Sequence, residues 1–377
     1  MSFASLIGLV VGLGLLVLGA EVLVKGASRL AAALGLSPLV IGLTIVAYGT
    51  SAPELAVSLQ SVWNDEAAIA IGNVVGSNIF NVLFILGVSA IITPLVVAQQ
   101  IIRLDVPIMI GISVLLLLMG LDGTINRWEG LILVAGAVLY TVFLFTQGGA
   151  ENDTAVQEEY NQEYALLEKL SIPAWVLNLT FVLAGIAILV VGSTLMVNGA
   201  IAIAEALGVS RIIIGLTIVA LGTSLPELAT SVIASLHNER DIAVGNVVGS
   251  NIFNILAVVG LASVLSPHGL EIPASVLHFD LPVMIVVALA CLPIFCTGNV
   301  ISRWEGMVFL GYYGAYTTYL ILKATQHDAL PMFSSMVVWF AIPLTIVTLA
   351  TVSLRAWRSG SRPVVSPNLS DPPDDQP

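Results

Sequence analysis

Two carboxylates stand inside stretches apolar enough to cross a bilayer. Glu54 lies in GLTIVAYGTSAPELAVS, residues 42–58, and Glu227 in GLTIVALGTSLPELATS, residues 215–231. A carboxylate at the middle of a span costs several kcal/mol, so its presence in two matching places demands a use. At helical spacing Thr50 shares a face with Glu54, and Ser51 lies beside them. Thr223, Ser224 and Glu227 repeat the arrangement. Pro53 and Pro226 have no amide for the preceding turn. The sequence therefore predicts a kink, with freed carbonyls near Ala47, Tyr48 and Gly49, and near Ala220, Leu221 and Gly222.

A second motif, GNVVGSNIFN, follows each of these at 72–81 and 245–254. Asn73, Ser77 and Asn81 form one stripe at four-residue spacing, and Asn246, Ser250 and Asn254 form its counterpart. Asn78 and Asn251 fall about a quarter-turn away, where capping or bridging between helices competes with ligation. Every donor in the set is oxygen, with no His or Cys, which argues against zinc or copper. Oxygen ligands in adaptable geometry suit Ca²⁺, and the same cage accommodates Na⁺. The competing use of Ser, Thr and Asn is as glue between membrane helices, at about 0.6 to 2 kcal/mol each.

The elements that would hold these residues are membrane helices. The chain of 377 residues is 58% hydrophobic and 10% charged, against about 25% charged residues in soluble domains. Apolar runs near the ~20-residue length of a span fall at 3–23, 37–62, 68–92, 104–121, 128–147, 172–192, 210–235, 242–266, 279–296, 304–323 and 332–354. The first and sixth can extend toward Ala33 and Ala206. The fold class is thus an all-α polytopic membrane protein of ten core spans plus an eleventh.

The halves align without a gap from Leu18–Glu54 to Val191–Glu227. The match runs on through Asp105 and Asp280 to RWEG at 127–130 and 303–306. With five spans each, an odd number, the second copy enters from the opposite face. Inverted repeats with interrupted helices near the midplane are a plan of secondary transporters. The organisation is a first repeat at 1–147, an acidic loop at 148–171 with a short helix over 155–170, a second repeat at 172–323, an extra helix at 324–354 and a disordered tail at 355–377. Lysine and arginine placement puts the N-terminus outside and the C-terminus in the cytoplasm. Lys25, Arg29, Arg103, Lys169, Arg240, Arg303, Arg355, Arg358 and Arg362 then face the cytoplasm, against Arg127, Arg211 and Lys323 outside.

Other polar positions read as structural. Asp105 and Asp280, each two residues before a Pro, are expected to start helices, with ion entry as the alternative. Trp128 and Trp304 anchor at the interface. Cys291 and Cys296 read as small buried side chains. The net charge of −12 leaves no basic nucleic-acid surface. No nucleophile–base pair or phosphate loop is found, so neither an enzyme nor an ATP-driven pump is indicated, and no resident cofactor is implied.

The paired motifs GTSxPE and GNVVGSNI resemble the alpha repeats of the cation/Ca²⁺ exchanger superfamily, and most closely the prokaryotic Na⁺/Ca²⁺ exchangers. The resemblance covers about residues 5–323. It implies that spans 2, 3, 7 and 8 form an ion-binding core across which spans 1 and 6 slide, in a monomeric functional unit in the cell membrane. Span 11 exceeds that core, and is expected either to be peripheral or to support a homodimer. The resemblance also implies electrogenic exchange of several Na⁺ inward for each Ca²⁺ outward. By the same resemblance Glu54 and Glu227 are the central ligands and Thr50, Ser51, Thr223 and Ser224 flank them. Ser77 and Ser250 match Na⁺-site hydroxyls, Asn81 an amide ligand, and the Ala47 and Ala220 carbonyls the outer Na⁺ sites. Asn254 departs from the pattern, since many relatives carry Asp there. That leaves H⁺/Ca²⁺ antiport and K⁺-dependent Na⁺/Ca²⁺ exchange as alternatives, beside a cation channel or a membrane scaffold.

Overall fold

The computed structural model describes residues 3–147, 174–207, 220–296, 298–343, 345 and 347. The expected helix at 155–170, the first half of span 7, much of span 11 and the tail lie outside the described residues. Among those described, seven helices are long and apolar enough to cross a membrane, or eight if the bent pair Pro38–Thr50 and Ala52–Trp63 is one span. That pair is span 2, bent by 42°. The others are Ser5–Leu34 (span 1), Ala67–Ile92 (3), Ile101–Asp122 (4), Arg127–Thr146 (5), Trp175–Ala206 (6), Arg240–Leu265 (8) and Val276–Cys296 (9). Span 7 is described as Ala220–Gly222 and Leu225–Leu236, span 10 as Arg303–Ala324, and the start of span 11 as Leu330–Met336 with a π-helical turn at Val337–Ala341.

Spans 3 and 8 are 72% and 83% buried, whereas the other long spans lie between 22% and 39%. The signature helices are therefore the centre of the molecule, and the purely apolar ones face lipid. Trp128 stands exposed on the periphery, as an interface anchor would.

Spans 1 and 6 pack antiparallel along their length. Glycine recurs every seventh residue, at Gly12, Gly19 and Gly26 on one and Gly185, Gly192 and Gly199 on the other. A methyl group at Gly12 would lie 2.4 Å from the Met196 amide nitrogen, and one at Gly185 2.7 Å from that of Leu23. The backbones touch, as small residues permit in membrane helix pairs.

Two short strand pairs join the repeats. β1 (Leu95–Val96) pairs antiparallel with β4 (Val300–Ile301), and β2 (Thr124–Ile125) with β3 (Leu270–Glu271). Paired strands share a membrane face, so the chain between them must cross an even number of times. Spans 4 to 9, and spans 5 to 8, supply that parity, and the inverted arrangement follows from it.

Candidate cation-binding site

The break in span 2 falls at Ser51, not at the proline. Ser51 has φ −83° and ψ 7°, and Ser224 at the matching place in span 7 has φ −90° and ψ 9°, values of the sparsely populated bridge region. Pro53 and Pro226 then sit in the first turn of a new helix, where a missing amide costs nothing. The proline thus starts a helix where the sequence suggested a kinked one. Glu54 and Glu227 fall in the same first turns, beside amides that have no helical acceptor.

Both glutamates are fully buried, and each is held from the opposite repeat. Ser224 donates to Glu54 Oε1 at 2.7 Å, and Ser51 donates to Glu227 Oε1 at 2.7 Å. Thr50 donates to Asn246 Oδ1 at 3.1 Å and Thr223 to Asn73 Oδ1 at 3.3 Å. Asn73 and Asn246 brace their own repeats, donating to the main-chain oxygens of Glu54 and Glu227 at 3.2 and 3.3 Å and to Ser58 and Ser231 at 3.3 and 3.0 Å.

Asn78 and Asn251 are bridges. Each donates to the other's main-chain oxygen, at 3.2 and 3.3 Å. Their Oδ1 atoms accept from Asn254 and Asn81, both at 3.0 Å. The bridging alternative weighed for these two asparagines describes their place. It also leaves Asn81 and Asn254 with their amide hydrogens engaged and their oxygens turned elsewhere.

The consequence is a set of four buried oxygens with no protein partner: Glu54 Oε2, Glu227 Oε2, Asn81 Oδ1 and Asn254 Oδ1. Buried polar atoms are nearly always satisfied, and an ionised carboxylate has only acceptor capacity. A cation is the kind of partner that would satisfy such acceptor-only oxygens. Ser77 adds a hydroxyl that donates toward Glu54 Oε1 at 3.4 Å and lies 3.0 Å from the Ser224 hydroxyl, whose one proton is directed at the nearer Glu54. Ser250 donates instead to the Ala47 carbonyl at 3.5 Å. That carbonyl is not freed by Pro53: it keeps the Ser51 amide at 3.0 Å and also receives Thr50 at 3.3 Å. Ala220 is described as helical backbone, and its carbonyl has no described contact.

Local geometry supports these positions in a way the sequence reading did not anticipate. π-helical turns begin at Asn81 and at Asn254, running to Leu86 and Val259. Such bulges recur at functional sites because they shift the register of the side chains beyond them.

Asp105 and Asp280 do not cap helices. Each is the last residue of a π-helical turn and accepts a tyrosine hydroxyl, from Tyr140 at 2.9 Å and Tyr316 at 2.8 Å, tying span 4 to 5 and span 9 to 10. The capping function belongs to the glutamates of RWEG. Glu305 accepts from the Ser302 amide at 2.8 Å in a capping box, and Glu129 from that of Asn126 at 2.8 Å. NRWE and SRWE carried that signal. Cys291 is buried as expected, but Cys296 is exposed.

The model of a family described as sodium/calcium exchanger protein matches residues 4–146 and 177–322. CaxA of Alkalimonas amylolytica is 41% identical over 310 residues, 80% of this chain and 95% of that protein. The sodium/calcium exchanger MaX1 of Methanosarcina acetivorans is 35% identical over 342 residues, 83% and 97% of the two chains. The sodium-calcium exchanger NCX_Mj, in a structure soaked with Na⁺ and Ca²⁺, is similar with a TM-score of 0.71 at 30% identity, over 86% of this chain and 99% of that one.

Proposed function

The chain belongs to the sodium/calcium exchanger family of multi-pass membrane antiporters, and from that premise we propose that it expels Ca²⁺ from the cell in exchange for entering Na⁺. The observation that carries this reading is the quartet of unpartnered oxygens on Glu54, Glu227, Asn81 and Asn254. Two carboxylates match the charge of one Ca²⁺, and the amide oxygens complete a hard-cation cage. Na⁺ uses the same carboxylates together with the hydroxyls of Ser77 and Ser250 and the carbonyl of Ala220, whereas the Ala47 carbonyl can join only when the Thr50 and Ser250 hydroxyls that now donate to it turn away. Thr50, Thr223, Ser51 and Ser224 set the carboxylate orientation through the cross-repeat bonds. Because both ions need the same carboxylates they compete for one cage.

More than two Na⁺ per Ca²⁺ moves net charge inward, and each charge contributes about 2.3 kcal/mol per 100 mV to Ca²⁺ export. One chain carries both halves of the cage, so the monomer is the functional unit. The lysine and arginine bias supports an N-terminus outside the cell, and the likeness to CaxA and MaX1 supports a prokaryotic cell membrane.

The test uses purified protein in vesicles loaded with Na⁺ and diluted into choline medium containing ⁴⁵Ca²⁺. Uptake should follow the outward Na⁺ gradient and accelerate when the vesicle interior is made positive. Uptake that follows a pH gradient and ignores Na⁺ assigns H⁺ as the counter-ion and overturns the reading.

A further inference from the structure

Spans 9, 10 and 11 enclose a cleft of about 460 Å³ whose lining includes none of the proposed cation ligands. Its walls are apolar side chains such as Val283, Val286, Ala290, Phe309, Val337 and Val338. Packed interiors leave few voids larger than a water molecule, and this one has the size of a ligand pocket, about 300–1,000 Å³. It is elongated. Its lining on span 10 runs from Val308 to Tyr319, roughly 16 Å of helix at 1.5 Å per residue.

One end is polar and cationic. Phe279 and Tyr319 line the cleft there and stack at 4.3 Å. The Lys323 ammonium stands over both rings, 5.4 and 5.7 Å from their centroids. Lys323 is exposed, and His278 stands exposed on the same rim. Asp280 also feels this lysine, but its carboxylate is engaged by the Tyr316 hydroxyl at 2.8 Å. The other end reaches Leu83, two residues beyond Asn81 in the π-helical turn of span 3.

We propose that this cleft holds one acyl chain of an anionic phospholipid, with its phosphate at Lys323. A slot that is apolar along its length and cationic at one end, on a membrane protein, matches that shape and charge. A zwitterionic lipid would fill the slot but gain less at the lysine. The site is particular to the second half of this chain. The positions matching Phe279 and Lys323 in the first repeat are Leu104 and Gln147. The third wall is span 11, beyond residue 322 where the family match ends. Tyr312 on span 10 donates to Thr345 on span 11 at 2.7 Å and holds that wall in place.

The full chain, stripped of lipid in detergent, is titrated with phosphatidylglycerol or phosphatidylcholine and weighed by native mass spectrometry. Wild type should retain one phospholipid and prefer phosphatidylglycerol about fivefold, the size of one lysine near a surface. Lys323→Gln, an exposed change that leaves the fold intact, should bring that preference close to one. Ala290→Trp should fill the slot and lose the lipid. As a check independent of mutation, phosphatidylglycerol with a diazirine in its tail should crosslink to spans 9, 10 and 11 of wild type. No retained lipid, an unchanged preference in Lys323→Gln, crosslinks confined to other spans, or a dimer occupying the face without lipid would each overturn the proposal.

Discussion

Ser77 in the first repeat and Ser250 in the second occupy matching places on matching helices, yet they do different things. Ser77 joins the Glu54–Ser224 pair, donating toward Glu54 at 3.4 Å and lying 3.0 Å from the Ser224 hydroxyl. Ser250 stays out of the Glu227–Ser51 pair and donates to the Ala47 carbonyl at 3.5 Å. Around them three other bonds between the repeats come in matched pairs. Ser51 to Glu227 mirrors Ser224 to Glu54, Thr50 to Asn246 mirrors Thr223 to Asn73, and Asn81 to Asn251 mirrors Asn254 to Asn78. The residue types are identical, so the difference is conformational. A carrier with two equivalent halves must break its symmetry to open to one side, and on the proposed mechanism the two serines should exchange roles in the opposite state.

The symmetry itself faces the most severe test. Glu54→Gln and Glu227→Gln should each reduce Ca²⁺ exchange by about two orders of magnitude, because cation affinity follows the charge count of the ligands. Counterflow of ⁴⁵Ca²⁺ in vesicles measures it, and a large loss at only one of the two would break the equivalence. Asn254→Asp should raise apparent Ca²⁺ affinity about tenfold by adding a charge, and Asn81→Asp should do the same. Unequal gains would locate the site nearer one repeat. Ser77→Ala, which removes the hydroxyl beside Glu54 and Ser224, should cost roughly tenfold in apparent Na⁺ affinity, and Ser250→Ala a smaller factor. Equal losses would show that both states contribute to the measurement. The smallest effect concerns stability. Gly12→Ala should destabilise by about 1–3 kcal/mol through overpacking, read as a lowered melting temperature in detergent. Gly14→Ala, with no neighbour within 4 Å, should leave it unchanged or slightly raised.

Much of this was readable in the sequence because membranes punish polar residues. Glu54, Ser77 and Asn81 stood out against apolar neighbours, and a constant offset between the copies gave the inverted repeat. What sequence could not give was partner choice across the repeats. No spacing rule says that Ser224 binds Glu54 instead of its own Glu227, since that depends on how two bent helices cross. The π-helical turns at Asn81 and Asn254 were invisible for a related reason, as no residue type marks them. Asp105 was misassigned because a carboxylate near a proline looks like a cap, whereas its tyrosine partner lies 35 residues away. The strand pairs between loops were too short to leave a pattern of alternation.

The glycine seam between spans 1 and 6 has a mechanical consequence. Its teeth are spaced seven residues apart on both helices, and the backbones sit in each other's notches. Sliding one helix along the other by less than a full tooth, about 10.5 Å at 1.5 Å per residue, drives side chains into main chain. The pair is therefore geared, not lubricated. Any stroke across the central bundle carries both helices together as one bar, and the moving surface is the face they turn to spans 2 and 7.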